Sequence, residues 1–244
     1  MKKGLWIVIT GLDGTGKTTL KNNIVGLLRG SNLRVKDFKF PYDKHLLDLL
    51  NNVVGGGRPW QDNYTDQMLF TLDNRVVGTT LVKEWRATND VLVSQRGYID
   101  SFVHGKCRGY SYAEVDSLMR TNELERCDVM IHLNAEAKIA FDRIKEDPDA
   151  DKYEIPEYIK KQAAETSLAY KELLAGNPDL AAFRNIPNIY IDTTALTTYE
   201  TYMRAVDELK KLNLIWTIQS PKRDSVNRVS FSYCQKGQAF LAVL

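Results

Sequence analysis

The chain has few cysteines and histidines, no long apolar run and no dominant sign of charge, and each shortage removes a class of protein. Cys107, Cys127 and Cys234 are the only cysteines in 244 residues, an odd set without a CxxC pair. That excludes a disulfide framework and predicts reduced, structural thiols. His45, His104 and His132 show no metal-ligand spacing with them. No apolar stretch approaches the ~20 residues that span a bilayer. Met1-Lys2-Lys3-Gly4-Leu5 leads into a short apolar run without the length or cleavage site of a secretory signal. A cytoplasmic protein with no membrane partner is therefore expected. Lys+Arg 33 against Asp+Glu 31 leave a net charge of only +2. The overall field does not attract nucleic acid, and any phosphate site must be concentrated in a few residues. With 43% hydrophobic and 26% charged residues, the composition is that of a folded domain.

What is present is an alternation of two periods. Leu5–Thr10 is a continuous β-branched run, the pattern of a strand buried on both faces. Similar runs recur at Leu33–Phe40, Asp90–Ser94, Val129–Leu133 and Asn188–Asp192. Helical stripes lie between them: Leu20, Ile24, Leu27 and Leu28, with Gly30 as a stop; Leu69, Leu72, Val76 and Thr80; and Tyr199, Met203, Val206 and Leu209. Strands alternating with helices predict an α/β fold, a five-stranded parallel sheet with helices on both faces. Asp147-Pro148-Asp149-Ala150-Asp151 interrupts two helices, one starting near Ala135 and the next near Pro156, and predicts a lid over about 143–154. Gly55-Gly56-Gly57 reads as a turn, because no Lys-Thr follows it. The pattern changes after about Leu214, where Val229, Phe231 and Tyr233 alternate with polar residues. We therefore divide the chain into a domain over 1–214 and a strand-rich extension over 215–244.

Gly11-Leu12-Asp13-Gly14-Thr15-Gly16-Lys17-Thr18-Thr19 matches G-x-x-x-x-G-K-[ST] in full, between a buried strand and an amphipathic helix. Glycines let the backbone turn so that consecutive N–H groups face phosphate oxygens. The helix adds its positive end. Lys17 would meet the β- and γ-phosphates, and the Thr18 hydroxyl would ligate Mg²⁺. The whole loop, Gly11 through Thr19, is the expected ATP site of a P-loop NTPase fold. No Asn-Lys-x-Asp stretch for guanine is present, which argues against a GTPase.

The wording of this loop resembles that of the thymidylate kinases, and four further stretches keep that family's order over about residues 5 to 212. Phe40-Pro41 follows the second strand. Phe70-Thr71-Leu72-Asp73-Asn74-Arg75 resembles a helix segment ending in a base-contacting arginine. Gln95-Arg96-Gly97-Tyr98-Ile99-Asp100-Ser101-Phe102-Val103-His104-Gly105 resembles the stretch after the third strand, and Arg143, Asp151-Lys152-Tyr153-Glu154 and Tyr170 resemble the lid and the helix behind it. The resemblance implies a homodimer that uses ATP and Mg²⁺ on a nucleotide substrate. It assigns Arg96 to the acceptor phosphate, Asp13 to the sugar, and Phe70 and Arg75 to the base. Phe40, Tyr98 and His104 would complete the acceptor pocket, while Arg143 and Lys152 would meet transferred charge. From the residues alone, Arg96 is equally a surface ion pair and Phe70 equally a core aromatic.

Departures crowd around the acceptor. Gln95 stands where the family has aspartate, with Asp100 a candidate to compensate, and Val103-His104-Gly105 replaces Tyr-Gln-Gly. Ser101 lies one residue further from the arginine than in the family, and one extra residue separates Phe70 from Arg75. Asp43-Lys44 replaces an arginine after Phe-Pro, and Gly14 replaces one within the loop. The leading expectation is a deoxynucleoside monophosphate kinase making dTDP from dTMP. A second is a kinase of a hydroxyl, on a deoxynucleoside or a modified pyrimidine in DNA, with Asp13 as general base. Nucleic acid is a partner only there; Lys210, Lys211, Lys222, Arg223 and Arg228 make that region somewhat basic. The third is a non-catalytic ATP-binding protein, for which Gln95 speaks.

Overall fold

The five β-branched runs form one sheet in the computed structural model, which describes residues 3–54, 62–145 and 155–215. The strands are β1 (Leu5–Gly11), β2 (Val35–Lys39), β3 (Val91–Gln95), β4 (Val129–Asn134) and β5 (Asn188–Asp192), in the order β2-β3-β1-β4-β5. Every neighbouring pair is parallel, with Ile7 opposite Val93 on one side of β1 and opposite Val129 on the other. The sheet and its five strands are those expected from the sequence, with ends shifted by one or two residues.

Helices cover both faces. On one, α1 (Lys17–Gly30) and α9 (Thr198–Lys211) pack Leu20, Ile24, Leu28 and Leu209 onto Ile7, Val93, Ile131 and Ile189. On the other lie α4 (Val82–Thr88), α5 (Tyr98–Arg108), α6 (Tyr112–Met119) and α8 (Pro156–Leu174). They close over Trp6, Val8, Leu92 and Met130. Each fully buried aliphatic or aromatic side chain contributes roughly 1.5–3 kcal/mol, so these two layers hold the strand ends in register. Helices α2 (Lys44–Val54), α3 (Asn63–Val76) and α7 (Ala137–Ile144) stand around the carboxyl ends of the strands, where a parallel sheet opens its crevice.

α3 departs from its expected stripe. Leu72 is 45% exposed and Thr80 lies outside, while the buried side is polar: Asp66, Gln67, Thr71, Asp73 and Asn74. Tyr199 is likewise 67% exposed on α9, whereas Val206 and Leu209 of its expected stripe are buried together with Thr201 and Ala205. The Gly55-Gly56-Gly57 turn, Lys152 and most of the expected lid, and residues 216–244 of the extension lie outside the described residues.

Candidate active site

The loop from β1 to α1 is pressed against its neighbours. A Cβ on Gly11 (φ 126°) would stand 1.8 Å from the Leu133 carbonyl oxygen, and one on Gly14 (φ 80°) would stand 2.1 Å from that of Ala140. Only glycine fits either position without displacing backbone. Gly16, also at positive φ, meets nothing within 4 Å, so the loop crest is open. Its crest and the start of α1 line a cleft of about 730 Å³, closed on other sides by Gln95, Arg96, Arg143, Thr193 and Leu196.

Lys17 is buried, and its Nζ donates to the Gly11 and Leu12 carbonyls at 2.9 and 2.8 Å and to Asp13 Oδ1 at 2.9 Å. Burial lowers its pKa, and the Asp13 carboxylate opposes that shift. Thr18 Oγ1 donates to Gln95 Oε1 at 3.0 Å. The hydroxyl expected to face a metal thus meets a neutral amide.

Arg96 connects this loop to α5. It follows β3 with φ 66°, a left-handed conformation that costs a residue with a Cβ on the order of 1 kcal/mol. Its backbone N–H donates to the Ile9 carbonyl at 2.7 Å, which holds the turn. The guanidinium donates to Asp13 Oδ1 at 2.7 Å and lies 2.6 Å from His104 Nε2. Because a guanidinium only donates, Nε2 is the acceptor and the ring proton sits on Nδ1, 3.0 Å from the Tyr158 hydroxyl. Burial, then the charges of Arg96 and Arg108, hold His104 neutral, well below its usual 6.5. Burial would raise the Asp13 pKa, but Arg96 and Lys17 outweigh it and keep the carboxyl far below the ordinary range. Gln162 of α8 donates to Asp13 Oδ2 at 3.2 Å. Asp13, Arg96, Lys17 and His104 therefore form one connected cluster.

Behind it, α3 and α5 meet through polar side chains. Arg108 lies with its guanidinium carbon 4.9 Å from the Phe70 ring centroid and donates to Gln67 Oε1 at 2.8 Å. Asn74 donates to the Phe70 carbonyl and to Ser101 Oγ, at 2.9 and 2.8 Å. Among the described residues its buried Oδ1 meets no partner. Asp73 accepts from the backbone N–H groups of Tyr42 and Asp43, and burial raises its pKa to about 6.

Three expected acceptor residues stand elsewhere. Phe40 and Tyr98 are buried in the aromatic core with Trp6 and Phe38, because the first turn of α5 faces the sheet. Arg75 turns to the Met119 carbonyl and the Glu123 carboxylate, at 3.1 and 2.5 Å. The extra residue explains this: four positions after Phe70 comes Asn74, so Asn74 shares that face and Arg75 rotates off it. Asp100 Oδ2 accepts from the Thr10 hydroxyl and from the Gly97 N–H, capping α5. Arg143 reaches the cleft, with hydrogen bonds to the Thr193 carbonyl at 2.9 Å and hydroxyl at 3.2 Å. Reading the sequence missed Tyr158, Gln162 and Arg108. Arg108 was within reach of a periodicity argument, since it lies one turn beyond His104.

No protein-family profile matches the chain. A protein named "Thymidylate kinase" from Shouchella clausii (strain KSM-K16) is 24% identical over 201 residues, covering 79% of this chain and 94% of its own. "Probable thymidylate kinase 1" of Saccharolobus solfataricus (strain ATCC 35092 / DSM 1617 / JCM 11322 / P2) is 27% identical over 158 residues, covering 64% and 77%. Among solved structures, a thymidylate kinase from Candida albicans superposes with a TM-score of 0.66 at 14% identity, over 86% of this chain and 93% of its own. The last likeness is one of fold.

Proposed function

We propose that this chain, a divergent thymidylate kinase-like protein, transfers the γ-phosphoryl of ATP to a deoxynucleoside monophosphate, with dTMP to dTDP the favoured reaction. The observation that carries the reading is the bond from Arg96 to Asp13, which stands an acceptor-side guanidinium directly against the donor loop. A planar guanidinium holds a phosphate bidentately, and Lys17 supplies a compact charge for the donor oxygens. An incoming phosphate competes with the Gly11 and Leu12 carbonyls for Lys17, and with Asp13 and His104 for Arg96. Transfer forms a bond between an acceptor phosphate oxygen and the γ-phosphorus and breaks the γ-phosphorus bond to the bridging oxygen. A phosphate acceptor is already largely ionised near neutral pH, so no general base is needed.

The state of Asp13 supports this over a hydroxyl acceptor. A carboxylate held so far below its usual range takes a proton poorly, whereas a hydroxyl must lose one. Thr18 and Gln95 present oxygen donors suited to Mg²⁺, and these two residues would hold the ion. When bound, Mg²⁺ neutralises charge on the donor phosphates. Phe70, with Arg108 on its face, is the proposed base platform. Arg143 and Lys152 are the proposed charges on the lid side.

A homodimer in the cytoplasm belongs to the same reading. It is supported by an exposed stripe on α3, where Tyr64, Met68 and Leu72 are 51%, 43% and 45% exposed one turn apart. Light scattering on Leu72→Asp should report a monomer, against a dimer for the parent chain. The function is tested by ATP consumption with Mg²⁺ against each deoxynucleoside monophosphate, thymidine, and single-stranded DNA with plain or hydroxymethylated pyrimidines. Turnover led by dTMP supports the proposal. Turnover with thymidine or modified DNA alone, or with no acceptor, overturns it.

A further inference from the structure

A second cavity lies between β1, β4, α5 and α8. It measures about 10 Å³, room for one water molecule, and every residue that lines it is buried. Its lining is polar at Thr10, Asp100, His132, Gln162 and Thr166. Two of these side chains bring unmet hydrogen-bonding atoms to it. Among the described residues, Gln162 Oε1 and Thr166 Oγ1 have no partner, although the two residues are only 1% and 4% exposed. Thr71 and Thr201 return their hydroxyls to the carbonyl one turn back, whereas Thr166 does not. We infer that this cavity binds a single water, which donates to Gln162 Oε1 and accepts from Thr166 Oγ1. Gln162, held in this way, is a positioning residue for Asp13.

Buried polar atoms that lack a protein partner are met by ordered water where the site is polar and large enough. The Gln162 amide has two ends to satisfy. Its Nε2 donates to Asp13 Oδ2 at 3.2 Å, while Lys17 and Arg96 donate to Asp13 Oδ1 at 2.9 and 2.7 Å. Gln162 thus fixes the carboxylate oxygen that the two cations leave. Turned over, the amide would set Oε1 against that oxygen, acceptor against acceptor. A water that donates to Oε1, and is itself anchored by Thr166, keeps the amide the right way round. Asp13 in turn orients the Arg96 guanidinium. The water site stands on this geometry alone. Its bearing on turnover rests on the reading that Arg96 takes the acceptor phosphate.

High-resolution crystals of the full chain test the site, with Thr166→Val to remove the hydroxyl at nearly constant shape and Thr166→Ser to keep it. The parent chain and Thr166→Ser should show one ordered water within hydrogen-bond distance of Gln162 Oε1 and of the hydroxyl at position 166. Thr166→Val should lose that water together with the bond from Gln162 to Asp13. Among variants that melt like the parent, Thr166→Val and Gln162→Leu should each lower kcat/KM for dTMP about tenfold, with the KM for ATP within about twofold. Thr166→Ser should retain the parent value. Thr166→Val combined with Gln162→Leu should be no worse than Gln162→Leu alone, because Thr166 acts through Gln162. Parent crystals without the water would overturn the inference. So would Thr166→Val crystals that keep the bond from Gln162 to Asp13, or additive losses in the double variant. A parent chain that does not turn over dTMP would instead sink the proposed function, and the crystals would still decide this inference.

Discussion

Helix α1 buries Leu20, Ile24, Val25 and Leu28 against the sheet, and among its polar residues only Lys17, at its first position, is buried. Helix α3 does the reverse, burying Asp66, Gln67, Thr71, Asp73 and Asn74 and exposing Tyr64, Met68 and Leu72. The first arrangement serves a donor loop whose chemistry is carried by backbone and one lysine, so its helix needs only to be anchored. The second places hydrogen-bonding side chains between helices, where buried polar groups must find partners in each other or in a ligand. Asn74 Oδ1, buried without a partner among the described residues, is one such group. The phosphate loop and the proposed acceptor side thus rest on opposite helix plans.

Variants separate the two halves by what they lose. Lys17→Ala should have the largest effect, on the order of a thousandfold or more in kcat, with an unchanged melting profile. A folded Lys17→Ala that retained turnover would remove the donor half from the account. Arg96→Ala should lower kcat/KM for dTMP by about a hundredfold while leaving the KM for ATP within about twofold. Equal losses for both substrates would erase the division. His104→Ala should cost the acceptor about tenfold by releasing one side of Arg96. Because burial and the charges of Arg96 and Arg108 keep His104 neutral well below 6.5, the pH profile between about pH 6 and 8 should keep its shape in that variant. An inflection seen only in the parent chain would show that His104 titrates.

The smallest effect is on stability. Burial raises the Asp73 carboxyl from 3.8 to about 6. Between those values the unfolded chain has already released its proton while the folded chain still holds it. Folding stability therefore falls as pH rises across that window, by on the order of 3 kcal/mol for this group. Asp73→Asn should flatten that part of the curve relative to the parent chain. A parallel slope in the two proteins would contradict the assignment.

How far each half could be read from sequence follows the same division. The phosphate loop is a local device. Gly11, Gly14 and Gly16 supply positive φ, Lys17 and Thr18 follow at fixed spacing, and a β-branched run precedes them, so nine consecutive residues carry the signal. The five parallel strands were legible as β-branched runs separated by helical stripes, whereas their order was not. The proposed acceptor side depends on contacts between residues far apart in the chain, such as Arg96 with Asp13, His104 with Tyr158, and Arg108 with Phe70. An inserted residue rotated Arg75 away and brought Asn74 in, a change of about 100° that composition does not register. Phe40 and Tyr98 show the converse. Aromatics in the right order were drawn into a core that already held Trp6 and Phe38.

The central claim is that Arg96 makes the acceptor site a phosphate site. The most direct measurement is calorimetric binding of dTMP and of thymidine to the parent chain and to Arg96→Ala. The account predicts that dTMP binds at least about a hundredfold more tightly than thymidine, and that the difference collapses to a few-fold in the variant. Thymidine binding as tightly as dTMP, or a preference for dTMP that survives the loss of Arg96, would contradict it.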